Sequence, residues 1–186
     1  NLAYSFANHD KKVLLIDFDL RRPTLNEFFK EGNATGLLKW LDQAPSHAND
    51  LLENPHLGIV EFSKNLFILK SGGRIKNPTE YYDRLADIGF WQSLRNTFDI
   101  TIVDTPPIGI FPDAMLLSEY ADETIFVCRF NKVKFSAFKK IVKQFRETIR
   151  EPLGVVINGL PPSSANAYDY LGYGSYTSKY YKSYAK

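Results

Sequence analysis

The sequence predicts an α/β fold in which a mostly parallel sheet is flanked by helices. Short, continuously apolar runs predict buried strands, and segments with apolar residues at helical spacing lie between them. Because strands that alternate with helices form βαβ units, we expect most strands to run parallel. Ligands of such sheets bind beyond the carboxyl ends of the strands, so the predicted site lies there.

Five apolar runs are the predicted strands. The first and the third end in an aspartate, as expected for buried strands that deliver a polar residue to the edge of a sheet. In chain order the strands span residues 13–17, 65–70, 100–104, 123–128 and 153–158.

Three segments predict helices. Residues 1–8 have the apolar spacing of the end of a helix. In the segment 77–90, Asn77 can cap a helix, Pro78 suits its first position, and Glu80 can complete a capping box. The segment 134–151 places six apolar residues on one stripe, typical of a helix lying on a sheet: Phe135, Phe138, Ile141, Val142, Phe145 and Ile149. Its lysines and arginines favour a solvated face, with contact to an anionic partner or membrane surface as the alternative.

Composition indicates one domain followed by a tail. The chain has 186 residues, 44% apolar and 24% charged, which suits one hydrophobic core over residues 1–160. The net charge of +2 does not favour a nucleic-acid partner. The single cysteine, Cys128, lies in an apolar run and is predicted to be a core residue in a reducing compartment. The sequence has no stretch of about 20 apolar residues and no signal-peptide pattern, so we expect a soluble chain.

Residues 161–186 contain Pro, Ser, Gly, Lys and Tyr but almost no aliphatic side chains, which predicts a flexible tail. Packing of an aromatic stripe on the domain is the alternative, but the tyrosine spacing keeps neither strand nor helix period. Seven of the 11 tyrosines lie here: Tyr168, Tyr170, Tyr173, Tyr176, Tyr180, Tyr181 and Tyr184.

Two strands end in carboxylates that can form a metal site. Asp17 and Asp19 follow the first strand in LLIDFDLRRP, where they can hold Mg²⁺ or accept a proton, or instead only cap a turn. Arg21 and Arg22 come next and suit phosphate oxygens. Asp104 ends the strand ITIVD, and a hydrophobic strand followed by Asp is the Walker B form that positions Mg²⁺ in P-loop enzymes.

The pair LLIDFDLRRP and ITIVDTPP resembles the Walker A′ and Walker B motifs of bacterial tyrosine kinases, the group that regulates capsule and exopolysaccharide export. The segment SGGRIKNPTEYY and the stretch GVVINGL before the tyrosine cluster are also similar to that family. Partition and division-site ATPases share the first two motifs, whereas the tyrosine tail is typical of the kinases. The resemblance covers nearly the whole chain and implies a P-loop NTPase-like fold of the MinD/ParA kind.

The resemblance also implies roles for single residues. Asp17 is the residue that helps activate the tyrosine hydroxyl, and Arg21 matches the arginine that closes the A′ motif. Asp19 and Asp104 support Mg²⁺, and Asn158 is similar to an asparagine that contacts adenine in related ATPases. The tail tyrosines are the expected phosphate acceptors, with ATP and Mg²⁺ as cofactors.

One family motif is absent from the sequence. No string of the Walker A form G-x-x-x-x-G-K-[ST] occurs in the 186 residues, so the amide cradle, its lysine and its Ser/Thr metal ligand are missing. We expect these residues to be part of a longer chain, with a gap in the sheet and no kinase activity of their own.

The remaining candidate sites are weak. His9, His47 and His56 are isolated, so a zinc site is not expected. The segment 71–73, Ser-Gly-Gly, predicts a plain turn more strongly than an anion site. Trp40 and Trp91 lie in helical apolar patterns and are predicted core residues.

The leading interpretation is a protein tyrosine kinase domain that phosphorylates its own tail, usually in a neighbouring copy. Its expected partners are itself and a membrane component of polysaccharide export, at the cytoplasmic face of the cell membrane. Two alternatives stay open: a partition-type ATPase switch, and a regulatory or scaffold domain whose tail is phosphorylated by another kinase.

Overall fold

The computed structural model describes residues 1–25 and 35–160. Contacts divide the chain into two compact units, Asn1–Tyr120 and Ala121–Lys186. The predicted boundary at residue 160 falls at the end of the described residues and stays a prediction. The whole tail, with its seven tyrosines, lies outside the described residues.

The first unit contains a four-stranded sheet and five helices among its described residues. The strands are β1 (Val13–Asp17), β2 (Val60–Ser63), β3 (Leu66–Leu69) and β4 (Ile100–Asp104). The helices are α1 (Leu2–Ala7), α2 (Leu37–Leu41), α3 (Thr79–Asp87), α4 (Phe90–Thr97) and α5 (Asp113–Ser118).

The sheet order is β2-β3-β1-β4, with β1 parallel to both β3 and β4 and only β2 antiparallel. The central position of β1 explains its continuous apolar sequence, since Val13, Leu14 and Ile16 are fully buried. The predicted parallel sheet and three of its strands are confirmed. The strand β2 was not predicted, because its residues are mostly exposed and lack an apolar run.

The helix predicted in the segment 77–90 is α3, and the next helix, α4, begins at the last residue of that segment. The segment 77–90 contains α3, whose N-cap is Pro78 with no side-chain cap hydrogen bond, so the predicted capping by Asn77 and Glu80 is wrong. After Asp87 the chain turns at Gly89, which has φ +74°, and α4 begins. This left-handed conformation ends the first helix and suits glycine.

The turn after β3 lies against the turn before α2, backbone to backbone. A Cβ on Gly36 would lie 2.4 Å from the Cα of Gly72, and both glycines have positive φ. The hydroxyl of Ser71 donates to the carbonyl oxygen of Gly73 within this turn. The segment 71–73 thus packs closely against the backbone before α2. Its interpretation as a plain turn rather than an anion site stays a prediction.

The second unit contains a two-stranded parallel sheet and one helix among its described residues. Its elements are β5 (Ile125–Arg129), α6 (Phe135–Thr148) and β6 (Gly154–Asn158). The described strands form two separate sheets. The predicted gap in the sheet stays a prediction.

The helix α6 packs on its sheet through Phe138 and Phe145, whose rings lie 6.0 Å and 5.2 Å from that of Phe126. Phe135 was predicted on the same stripe, but its side chain is 78% exposed. It is the first residue of the helix, where the chain has left the sheet. Cys128, predicted to be a core residue, is only half-buried because its sheet has two strands.

The core of the first unit includes the tryptophans. Trp40 is buried, as predicted, and Trp91 is partly buried against Phe18 and Tyr120. The indole Nε1 of Trp91 is buried and has no hydrogen-bond partner among the described residues. No helix within residues 1–25 and 35–160 combines the length and the hydropathy that a membrane crossing requires.

Candidate active site

The site lies where β1 and β4 end. The two strands are parallel neighbours, and their register pairs Asp17 directly with Asp104. The amide of Phe18 donates to the carbonyl oxygen of Asp104 at 2.8 Å, which holds the two strand ends together. The Phe18 ring is fully buried and stacks on Trp91 at 5.4 Å. The sheet therefore brings together the carboxylates that the sequence predicted at this edge.

Asp17 is fully buried and organises the loop that follows it. Its carboxylate accepts three backbone hydrogen bonds, from the amides of Asp19 at 3.2 Å, Thr24 at 3.0 Å and Leu25 at 2.9 Å. Burial, with a contribution from the charge of Asp104, raises the pKa of Asp17 to about 6 despite these bonds. Asp17 is therefore a proton acceptor near neutral pH that is enclosed by its own loop.

Asp19 and Asp104 are more accessible than Asp17. Asp19 is half-buried, and its Oδ1 accepts a hydrogen bond from the amide of Arg22 at 2.8 Å. Asp104 is exposed at the edge of the sheet. Partial enclosure of its carboxyl group, and then the charge of Asp19, raise the pKa of Asp104 above its ordinary value. Like charges held this close favour a shared cation.

Arg21 is held by partners within the chain. Its Nε donates to both carboxylate oxygens of Asp113 at 3.1 Å, its Nη1 donates to the carbonyl oxygen of Lys76, and its guanidinium lies 4.4 Å from the ring centre of Phe111. Asp113 is buried and also accepts a hydrogen bond from the Tyr82 hydroxyl at 2.9 Å. These contacts join the loop after β1 to α3 and α5.

Sequence reasoning missed the Arg21–Asp113–Tyr82 cluster. The only local signal was the Pro-Asp pair at 112–113, which is typical of the start of a helix. Nothing in the sequence pairs Asp113 with an arginine 92 residues away. The predicted role of Arg21 at a phosphate stays a prediction.

The carboxylates fit a magnesium ion that is completed by other ligands. No group of three His, Cys, Asp or Glu side chains that could hold a metal occurs within residues 1–25 and 35–160. Mg²⁺ in phosphoryl-transfer sites is bound through one or two carboxylates plus phosphate oxygens and water. Asp19 and Asp104 meet that requirement, whereas the carboxylate of Asp17 is engaged by three backbone amides.

Asn158 ends β6 in the second unit. Its side-chain Oδ1 accepts a hydrogen bond from the amide of Gly159 at 2.7 Å, and its carbonyl oxygen accepts one from Phe130 at 2.8 Å. The side chain is exposed at the carboxyl end of its strand. Its contact with adenine stays a prediction.

Curated relatives of the chain are bacterial kinases. Tyrosine-protein kinase CpsD of Streptococcus pneumoniae is 34% identical over 180 residues, which cover 96% of this chain and 76% of the relative. Tyrosine-protein kinase YwqD of Bacillus subtilis is 32% identical over 178 residues, covering 92% and 70%. The chain belongs to the family of bacterial tyrosine-protein kinases. A scan of protein-family models found no match.

Solved structures that are similar to this chain include kinase domains of the same kind. The VpsO kinase domain superposes with a TM-score of 0.70 at 25% identity, over 86% of this chain and 75% of that one. The kinase domain of Escherichia coli tyrosine kinase ETK gives 0.70 at 27% identity, over 88% and 62%. MinD of Pyrococcus horikoshii, at 20% identity and a TM-score of 0.53 over 90% and 68%, shares the fold. The predicted P-loop NTPase-like fold and the tyrosine kinase family are confirmed.

Proposed function

We propose that this kinase domain transfers the γ-phosphoryl group of ATP to tyrosines of its own C-terminal tail, and thereby regulates capsule or exopolysaccharide synthesis. The observation that carries the proposal is the register of β1 and β4, which pairs Asp17 with Asp104 beside Asp19. Family membership supplies the activity class, and seven tyrosines within residues 168–184 supply acceptors on the same chain.

Asp19 and Asp104 are the proposed metal ligands. Bound Mg²⁺ neutralises charge on the transferred phosphoryl group, which is most of what this reaction needs from a protein. The charge of Asp19 contributes to the raised pKa of Asp104, which shows that the two carboxylates repel each other. A bound cation would relieve this repulsion, which supports the assignment. Asp104 is exposed at the end of β4, so phosphate oxygens can reach a metal ion bound to it and complete the coordination of that ion.

Asp17 and Arg21 have less direct proposed roles. A pKa of about 6 leaves Asp17 mostly ionised at pH 7 and able to accept the tyrosine proton, but only after the loop 18–25 opens. In the described conformation Asp17 instead holds Asp19 at the strand end. Arg21 anchors the same loop through Asp113, so we propose that it positions Asp19.

The nucleotide and the partners complete the proposal. Asn158 is the proposed adenine contact, and a glycine-rich lysine loop outside these 186 residues is the proposed phosphate cradle. The proposed partners are a second copy, which presents its tail, and a membrane component of polysaccharide export at the inner face of the cell membrane.

The complete gene product, incubated with ATP and Mg²⁺, tests the proposal. Phosphotyrosine mapped by mass spectrometry is expected within residues 168–184. Asp104→Asn should slow its appearance about a hundredfold, because a metal ligand contributes several kcal/mol of transition-state stabilisation. Asp87→Asn, which changes an exposed carboxylate of α3, is the matched control and should leave the rate unchanged.

Two results would contradict the proposal. ATP hydrolysis without phosphotyrosine would indicate the partition-type ATPase, and neither activity would indicate a scaffold phosphorylated by another kinase. Residues 1–186 alone should show no phosphorylation, since the sequence contains no lysine loop. Activity of this chain alone would contradict the role given to that loop.

A further inference from the structure

The second unit carries a concentrated positive charge that the active site does not use. Residues 129–150 contain one carboxylate, Glu147, and eight cations, for a net charge of +7. The whole chain carries only +2, so all other residues together carry −5. The eight cations are Arg129, Lys132, Lys134, Lys139, Lys140, Lys143, Arg146 and Arg150. Such segregation of charge indicates an anionic partner.

Six of these cations form the basic surface, which we define as the exposed residues Lys132, Lys134, Lys139, Lys140, Lys143 and Arg146. The surface lies on and just before α6. The apolar side of that helix packs through Phe145, which is fully buried against Phe126. The cations therefore contribute nothing to the core.

Little within the described residues neutralises the basic surface. Lys143 lies 3.7 Å from Glu147, and Arg146 pairs with Glu151, but both pairs are exposed and such pairs are weak in water. No carboxylate of the described residues lies at ion-pair distance from Lys132, Lys134, Lys139 or Lys140. Lys139 and Lys143 are also one helical turn apart, where like charges repel.

The tail is close enough to reach this surface. The strand β6 pairs with β5 in the same unit as α6, and the described chain ends at Leu160, two residues beyond β6. Tyr168 is eight residues further, a span of up to about 26 Å for an extended chain. The helix α6 has 14 residues and is therefore about 21 Å long.

Phosphorylation reverses the charge of the tail. Residues 161–186 contain one carboxylate, Asp169, and three cations, Lys179, Lys182 and Lys186, so the unmodified tail carries +2. Each phosphotyrosine adds about −1.5 to −2. One phosphate brings the tail close to neutral, and two or more make it anionic. The unmodified tail is repelled by the basic surface, and the phosphorylated tail is attracted to it.

We propose that the basic surface of α6 binds the tyrosine-phosphorylated tail of the same chain. The proposal rests on the proposed function for the source of the phosphates. It makes the second unit a reader of tail phosphorylation, with a threshold near two phosphates. The contacts are lysine to phosphate, so the affinity depends on the number of phosphates more than on their positions and falls steeply with salt.

Synthetic peptides of residues 161–186 with zero, one, two or four phosphotyrosines test this proposal by fluorescence anisotropy with the protein. The peptide with four phosphates should bind at least about tenfold more tightly than the unmodified one, since exposed charge pairs add up over several contacts. Most of the gain should appear from the second phosphate onward. Raising the salt concentration from roughly 0.05 M to roughly 0.5 M shortens the Debye length about threefold and should abolish the gain in affinity.

Reversing the charge of two lysines tests whether the phosphopeptide binds at the basic surface. The double variant Lys139→Glu/Lys140→Glu should weaken binding of the peptide with four phosphates about tenfold. The control Lys11→Glu/Lys39→Glu makes the same change in charge at two exposed lysines of the first unit and should leave binding within about twofold. Circular dichroism checks that both variants fold.

Three results would overturn the proposal: equal binding of peptides with and without phosphate, equal loss in the two variants, or binding of phosphatidylglycerol vesicles but not of phosphopeptide. The last would indicate a lipid surface instead. Because the peptides are phosphorylated chemically, their binding is independent of kinase activity. A tail that the kinase never phosphorylates would contradict the proposed function and leave the binding measurement intact.

Discussion

The ends of β1 and β4 differ although their aspartates occupy equivalent positions. Asp17 and Asp104 are paired in register on parallel neighbours. Asp17 is fully buried and accepts three amide hydrogen bonds, whereas Asp104 lies at the exposed edge of the sheet. Among residues 1–25 and 35–160, the carboxylate that follows the central strand β1 is enclosed, and the one that ends β4 is open. Two aspartates at the ends of apolar strands are therefore suited to different tasks.

The loops that follow the two strands extend this difference. The loop after β1 is tied to α3 and α5 through Arg21, Asp113 and Tyr82. The loop after β4 continues into Thr105, Pro106 and Pro107, of which Pro107 is exposed. We therefore expect substitutions around β1 to change stability, and substitutions at the end of β4 to change activity.

The largest effect on stability is expected at Asp113. Asp113→Ala leaves the Arg21 guanidinium and the buried Tyr82 hydroxyl without their shared acceptor. Loss of one partner from a buried ion pair costs about 3 kcal/mol or more. Urea unfolding measured by tryptophan fluorescence reports this, because both tryptophans, Trp40 and Trp91, lie in the first unit.

Two further variants check the interpretation of Asp113. Tyr82→Phe removes one hydrogen bond and keeps the ion pair, so it should lower the free energy of unfolding by about 1 kcal/mol. Asp87→Ala changes an exposed carboxylate of α3 and should stay within about 0.5 kcal/mol of the wild type. If Asp113→Ala cost no more than Asp87→Ala, the cluster would not anchor the loop.

The next largest effect is expected from Asp17, whose titration makes the free energy of unfolding depend on pH. Its pKa is about 6 in the folded protein and 3.8 as the ordinary value, so the folded state binds the proton more tightly than the unfolded state. Stability from this group is therefore greatest at low pH and falls as the pH rises from about 4 to about 7. The loss relative to Asp17→Asn should be about 2.5 kcal/mol across that range.

Unfolding free energies of wild type and Asp17→Asn at several pH values measure this difference. Subtraction of the two curves removes contributions from groups that both proteins share. The asparagine places an NH₂ group against backbone amides, which lowers stability at every pH but does not titrate. Parallel curves, or a wild type that gains stability with rising pH, would show that burial does not control this carboxyl group.

The smallest effect on stability is expected at Asp104. Partial enclosure and the charge of Asp19 raise the pKa of Asp104, so removing its charge should not lower the free energy of unfolding. As at most exposed positions, Asp104→Asn should change that free energy by less than about 0.5 kcal/mol. The same variant should lose kinase activity in the complete protein. A loss of stability comparable to that of Asp113→Ala would remove the distinction between the two strand ends.

Local sequence patterns predicted much of the fold and the aspartates at the ends of β1 and β4. The apolar runs identified five of the six strands among the described residues, and the motif pair around Asp17 and Asp104 identified the kinase family. Such features depend on residues close together in the chain. The exposed strand β2 carries no apolar run, so nothing local indicated it.

The amino-acid sequence by itself determined the strand pattern, the carboxylates at strand ends, the family and the charge segregation on α6. Only the tertiary structure decided which carboxylate is buried, because that depends on which strand is central. It also decided the partner of Arg21, a residue 92 positions away, and the exposure of Phe135, predicted to be apolar core. These outcomes depend on the assembly of distant segments, whose contacts no local pattern of residues encodes.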